Sequence, residues 1–177
     1  MKTFIQIIDD APLIIKRKLE QLKFLRERPD YHPEPSTFAH IQIVTERLMQ
    51  TGVPELIMAG ILHDICKLDT VKVNEKTGQP TSPGHDAAAQ ILVTENMQVR
   101  AFCVNNNANP DTVAEICGAH MRFHQLGQMR PAKSAAQIDK WKAIGIWDML
   151  QYMGAADNML VDFDLNNLEK SFKFNRT

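Results

Sequence analysis

Apolar residues recur three or four positions apart through most of the chain, and strand-like alternation is rare, so the pattern predicts an all-helical protein. A first helix is predicted to begin after Pro12 and to run to about Arg28, where Pro29 and Pro33 stop it. Ser36 or Thr37 caps a second helix that carries Phe38, His40, Ile41, Val44 and Leu48 and ends near Gly52. Pro54 suits the first turn of a third helix, through Leu56, Ala59, Leu62 and His63 to Lys67. Residues 69–83 contain Lys76-Thr77-Gly78 and Pro80-Thr81-Ser82-Pro83 and read as a loop. A fourth helix runs from Gly84-His85 to about Phe102, and a second loop spans residues 105–110. Asp111 favours the start of the next helix, which bears Val113, Ile116, Cys117, His120 and His124. After a polar stretch over residues 127–132, Ser134 opens further helix through Trp141, Ile144, Trp147 and Leu150 to Asp157. The polar tail beyond Phe163 is expected to be poorly ordered.

Composition narrows the class without naming a function. The 177 residues suit one domain with a single core, and 44% hydrophobic with 23% charged residues fits a globular chain. A net charge of -1 and the lack of a basic run argue against long nucleic acids as partners, but not against a nucleotide or an RNA end. No stretch approaches the roughly 20 apolar residues of a membrane-spanning helix. The three cysteines, Cys66, Cys103 and Cys117, show no CxxC spacing and no secretory leader precedes them, which predicts reduced thiols in a cytoplasmic protein.

The chemistry concentrates in the histidines. Gly60-Ile61-Leu62-His63-Asp64-Ile65 places an adjacent His-Asp pair within a strongly apolar helical run. Burying either group without a partner costs several kcal/mol, so each needs one. Taken alone, the pair reads either as a hydrogen-bonded core histidine beside a capping aspartate or as part of a site for a divalent cation. Other helices supply more candidates: His40, His85 in Gly84-His85-Asp86, His120 with His124 one turn later, and Asp157 in Gly154-Ala155-Ala156-Asp157. Separate helices that each offer one or two ligand-type residues inward are how helical bundles build metal sites. The small residues before Asp157 permit close helix approach.

The order His40, His63-Asp64, Asp157 resembles the H...HD...D signature of the HD superfamily of metal-dependent phosphohydrolases. His63-Asp64-Ile65-Cys66-Lys67 departs from the usual His-Asp-Ile-Gly-Lys only at Cys66. The likeness extends to the HD domain of one branch of bacterial CCA-adding tRNA nucleotidyltransferases, through Tyr31-His32-Pro33-Glu34, Phe38-Ala39-His40, Gly84-His85-Asp86, His120 with His124, and Arg130-Pro131-Ala132-Lys133. It covers roughly residues 31–160. Nothing before His40 is long enough for those enzymes' nucleotidyltransferase domain. The resemblance therefore implies an HD module standing alone, a helical bundle of residues 1–177 with a central metal site, and CCA addition is not expected.

That resemblance implies His40, His63, Asp64 and Asp157 as ligands of a divalent ion (Mn, Fe, Co, Ni, Zn or Mg). It implies His85 and His120 as ligands of a second ion, or else as residues that contact phosphate or donate a proton. His85 has helix capping as its alternative, and His120 a core hydrogen bond. His124 is expected to be peripheral, and His32 structural or on the surface. Lys67, which with Asp64, His85 and His120 forms the catalytic set, is also a candidate phosphate ligand, as are Arg122, Arg130 and Lys133. Trp141, Trp147 and Phe123 belong to the core or stack on a base. The expected reaction is hydrolysis of 2',3'-cyclic phosphates or phosphomonoesters on nucleotides or RNA ends. The alternatives are a 5'-nucleotidase or other nucleotide phosphatase, and a non-catalytic module that binds a nucleotide or partner. Neutral imidazole is the ligand form, so metal affinity is expected to fall at acid pH.

Overall fold

A computed structural model describes residues 2–26 and 33–174, and it is all-helical apart from one two-stranded ribbon. In chain order the elements are α1 (Phe4–Asp9), α2 (Leu13–Leu22), α3 (Thr37–Met49), α4 (Pro54–Leu62), α5 (Lys67–Thr70), β1 (Lys72–Val73) and β2 (Pro80–Thr81). There follow α6 (His85–Glu95), α7 (Met97–Asn105), α8 (Pro110–His124), α9 (Pro131–Ala143), α10 (Trp147–Asp157) and α11 (Leu165–Phe174).

Local chemistry explains most of the boundaries. Ser36 is extended and its hydroxyl accepts from Ala39 N at 3.2 Å, which starts α3. Pro54 and Pro110 occupy the first turns of α4 and α8, where their missing N–H groups cost nothing. The side chain of Asn109 accepts from Asp111 N and Thr112 N and completes the start of α8.

Several predicted elements are divided or moved. α2 ends at Leu22, short of the predicted Arg28, which itself lies outside the described residues. The third predicted helix breaks after Leu62, so His63 and Asp64 stand in a turn between α4 and α5. The predicted loop 69–83 contains the antiparallel β1–β2 ribbon, with Lys72 opposite Thr81. Asn96 divides the fourth predicted helix by accepting from Gln98 N and Val99 N, so α7 begins inside an unbroken apolar pattern. α9 opens at Pro131 instead of Ser134, and Gly145, at φ 78°, turns the chain between α9 and α10. Within the predicted polar tail, Leu165–Phe174 forms α11.

Helix α8 is the centre of the bundle. It packs against α6, α4, α10 and α7, while α3 lies against α4 and α10. Its buried face, Val113, Ile116, Cys117 and His120, follows the helical period. One turn after His120, Phe123 joins Trp141 and Trp147, whose rings stack with centroids 6.3 Å apart. This assigns all three aromatics to packing. Gly154 of α10 lies under that group: a β-carbon there would meet the Phe123 ring at 2.2 and 2.5 Å. Gly154→Ala is expected to cost about 1–3 kcal/mol through overpacking. A thermal melt checks this, and an unchanged midpoint would mean that the Phe123 ring yields freely.

Candidate metal centre

Five helix ends converge on one point. His40 comes from the first turn of α3, His63 and Asp64 from the turn after α4, and His85 from the first position of α6. His120 comes from the last turns of α8, and Asp157 is the final residue of α10. His40, His63, Asp64, His85 and His120 are buried. Gly84, at φ 77°, adopts a left-handed conformation that few other residues tolerate, and so aims His85 inward.

The hydrogen bonds fix how the rings are held. His63 Nδ1 donates to Gly60 O at 2.9 Å, His85 Nδ1 to Ser82 O at 2.6 Å, and His120 Nδ1 to Cys117 O at 2.7 Å. A carbonyl oxygen only accepts, so each Nδ1 carries the hydrogen and a neutral ring is left with a bare lone pair on Nε2. His40 Nδ1 is bound instead to the buried carboxylate of Glu34 at 2.9 Å. All four Nε2 atoms then face inward, with His40 and His63 3.4 Å apart and His85 and His120 3.2 Å apart. Pairs of lone pairs at that separation repel unless a cation lies between them.

Asp64 stands between the two histidine pairs. Its Oδ2 lies 3.2 Å from His63 Nε2, 3.4 Å from His40 Nε2 and 2.7 Å from the Lys67 ammonium. Its Oδ1 lies 3.1 Å from His85 Nε2 and 3.7 Å from His120 Nε2. That oxygen, though buried, accepts no hydrogen bond. An acceptor at a buried carboxylate facing bare imidazole nitrogens is the donor set a divalent cation requires. Two groups of ligand atoms could each hold an ion: His40, His63 and Asp157, and Asp64, His85 and His120.

Asp157 completes the first group, with Oδ1 2.9 Å from His40 Nε2 and 3.7 Å from His63 Nε2. Its Oδ2 accepts from His124 Nε2 at 2.7 Å, so His124, expected to be peripheral, orients a candidate ligand.

With no cation other than protons, the charges rearrange. Burial opposes a charged ring at His40, but the carboxylates of Asp157, Glu34 and Asp64 push it up to about 9. Burial likewise opposes charge on His63, and Asp64 and Asp157 raise it to about 10. Burial holds His120 below the ordinary histidine value. Asp64 and Asp157 lie well below the carboxylate range: burial works against their charge, but His63 and Lys67 hold the first ionised, and His124, His40 and His63 the second. The cysteines are all buried, and burial pushes the Cys66 and Cys103 thiols up to about 12, which leaves them poor nucleophiles.

The centre forms the floor of a cleft of about 620 Å³, which Asp64, Lys67, His85, His120, His124 and Asp157 line together with apolar residues. Of the predicted phosphate ligands, Lys67 reaches this cleft. Arg122, Arg130 and Lys133 are exposed and are not among its lining residues, because α8 turns Arg122 away from His120 and the other two sit at the start of α9. Residues 31 and 32, and with them the expectation for His32, lie outside the described residues. Glu34 stands outside α3 and is marked only within the Tyr31-His32-Pro33-Glu34 motif, without a role, and two further contributors escaped sequence reasoning. Arg26, which lines the cleft, follows the end of α2 with no motif around it. Arg47 lies in the last turn of α3, and its guanidinium donates to the carbonyls of Ala156, Asn158 and Val161 at 3.0, 3.1 and 3.4 Å. It thereby fixes the end of α10 that presents Asp157, and no local signal marks so distant a pairing.

Fold and site together define an all-helical protein built around a buried histidine–aspartate centre. The chain is similar to the Multifunctional CCA protein of Neisseria meningitidis, at 33% identity over 111 residues that make up 59% of this chain and 24% of that relative. It is also similar to the Multifunctional CCA protein of Neisseria gonorrhoeae, at 30% identity over 124 residues, 66% of this chain and 27% of the relative. The chain thus spans about a quarter of the length of these curated relatives. No family model matches it, and no solved structure matches it. No helix among the described residues is long and apolar enough to cross a membrane.

Proposed function

We propose that the chain is an HD-superfamily phosphohydrolase that uses one or two divalent ions to act on nucleotides or RNA ends, as a 2',3'-cyclic phosphodiesterase, a phosphatase or both. The observation that carries this reading is the pair of Asp64 oxygens, each facing two imidazole nitrogens whose opposite ring atoms are pinned. The similarity to the Multifunctional CCA proteins supports an RNA-related or nucleotide substrate.

A divalent ion held by these residues would polarise a phosphoryl oxygen and acidify a water. The protein's own groups divide the remaining work. Lys67 offsets the Asp64 charge and adds positive potential at the cleft floor. His40 is steadied by Glu34, and Asp157 by His124 and Arg47. Were a single ion held by His40, His63, Asp64 and Asp157, His120 would be left to contact the phosphate or to donate a proton.

Hydrolysis of a substrate panel tests the reading: an aryl phosphate, its diester, 2',3'-cyclic AMP, and the 2'-, 3'- and 5'-nucleotides. The protein is stripped with chelator and manganese, cobalt, nickel or magnesium is restored. Metal-dependent turnover of the cyclic diester or the 2'-nucleotide is expected. A preference for 5'-nucleotides would make the chain a 5'-nucleotidase, and silence from protein that binds metal would make it a binding module. Arg47→Met should weaken manganese binding by about 10–100-fold while helical content persists, as is usual when a residue supporting a ligand is lost. Unchanged affinity would show that Asp157 needs no such support.

A further inference from the structure

The cleft is larger than a phosphate requires. About 620 Å³ is the size of a pocket for a small organic molecule, and its lining combines the histidine–aspartate centre with Thr81, Ser82, Gln128 and Asn158. Leu25, Pro80, Pro83, Met121, Met159 and Leu160 supply the apolar remainder. Among the described residues, two side-chain cations line it, Lys67 and Arg26. Lys67 is buried at the floor and bound to Asp64, whereas Arg26 is exposed and has no ion-pair partner among the described residues.

Arg26 follows a fixed piece of backbone. The carbonyl of Leu25 accepts from both Thr37 N at 2.9 Å and Thr37 Oγ1 at 3.3 Å. Thr37 opens α3 one turn before His40, so these bonds tie the base of Arg26 to the helix that carries a candidate ligand. A guanidinium whose backbone is anchored in this way, and whose side chain lines the cleft, suits bidentate binding of an anionic group. Its exposure sets it at the mouth, so it meets the part of the substrate that trails away from the floor.

We propose that Arg26 binds a second phosphate of the substrate. The cleft then takes a nucleotide or RNA end with one phosphate at the histidine–aspartate floor, its nucleoside along the apolar wall, and another phosphate at the mouth. This rests on the phosphohydrolase reading above and narrows its substrate class. The second phosphate is either a terminal 5'-monoester or the internucleotide diester of a longer RNA.

Three substrates distinguish these cases: adenosine 2',3'-cyclic phosphate, the same compound with a 5'-phosphate, and a diadenosine dinucleotide ending in the 2',3'-cyclic phosphate. On manganese-loaded wild-type protein, a second phosphate should lower KM by about three- to tenfold, the range of an exposed to partly desolvated charge-assisted contact. In Arg26→Gln that ratio should fall to about one, and Arg26→Lys should restore part of it. A gain confined to the 5'-phosphate would assign a mononucleotide, and a gain with the dinucleotide an RNA end. If wild type shows no gain, or Arg26→Gln keeps it, the inference is overturned. Should no substrate turn over, calorimetric binding of adenosine 2',5'-bisphosphate against adenosine 2'-phosphate decides the matter separately. An Arg26-dependent preference there would retain the phosphate contact while the hydrolytic reading fails.

Discussion

Asp64→Asn is expected to lower kcat/KM by at least about a thousandfold on whichever panel substrate the wild type prefers, because a group that stabilises several kcal/mol of charge is lost. Asp64 is 1% exposed and is the one residue whose two oxygens face both histidine pairs. Asparagine keeps the shape but turns one acceptor into a donor aimed at imidazole nitrogens, which excludes a cation from that side. The bound-metal stoichiometry should fall with the activity. The substitution also takes the Asp64 carboxylate from the Lys67 ammonium and from a protonated His63, which keeps Asp157, and breaking a buried pair costs about 3–5 kcal/mol. His120→Gln carries the same test with less risk to the fold. Burial already keeps His120 uncharged, so that exchange removes a ligand without removing a charge. Circular dichroism checks that the helices persist. Turnover that survives both substitutions in folded protein would rule out the proposed mechanism.

The second large effect is on pH. His40 and His63, at about 9 and about 10, are both protonated in the metal-free protein at neutral pH. A cation must displace both protons, so its apparent affinity should rise steeply with pH, by up to about a hundredfold per unit, until the pH passes 9. The expectation from ordinary histidines, a loss of affinity only at acid pH, therefore shifts upward by more than two units from 6.5. Calorimetry in buffers of different ionisation enthalpy should count about two protons released per first ion bound at pH 7. Release of none would mean that the rings are neutral before metal arrives.

The same groups set the stability of the metal-free protein. The raised pKa values of the two histidines add stability that is complete below about 6.5 and is lost as pH rises through about 9 and about 10. The depressed values of Asp64 and Asp157 add stability present above about 3.8, which is lost as pH falls through their folded values. Thermal melts should thus decline at both extremes, and bound metal should protect the alkaline side.

The amino-acid sequence by itself determined the helical class and marked the residues of the candidate centre. Apolar period, proline at first turns and polar caps are local properties, and they located α3, α8 and the start of α4 closely. The ordered series His40, His63-Asp64, Asp157 marked the residues that the fold brings together, since ligand-type groups in apolar helices must share partners. The tertiary structure decided the rest. It placed His63 and Asp64 in a turn rather than within a helix, set each Asp64 oxygen toward a different histidine pair, and gave His124 to Asp157. It recruited Glu34, Arg47 and Arg26 and left Arg122, Arg130 and Lys133 outside the cleft. These are pairings across distant segments, such as Arg47 with the carbonyls around Asp157. The packing angles of whole helices fix them, and no periodicity within one helix carries that information.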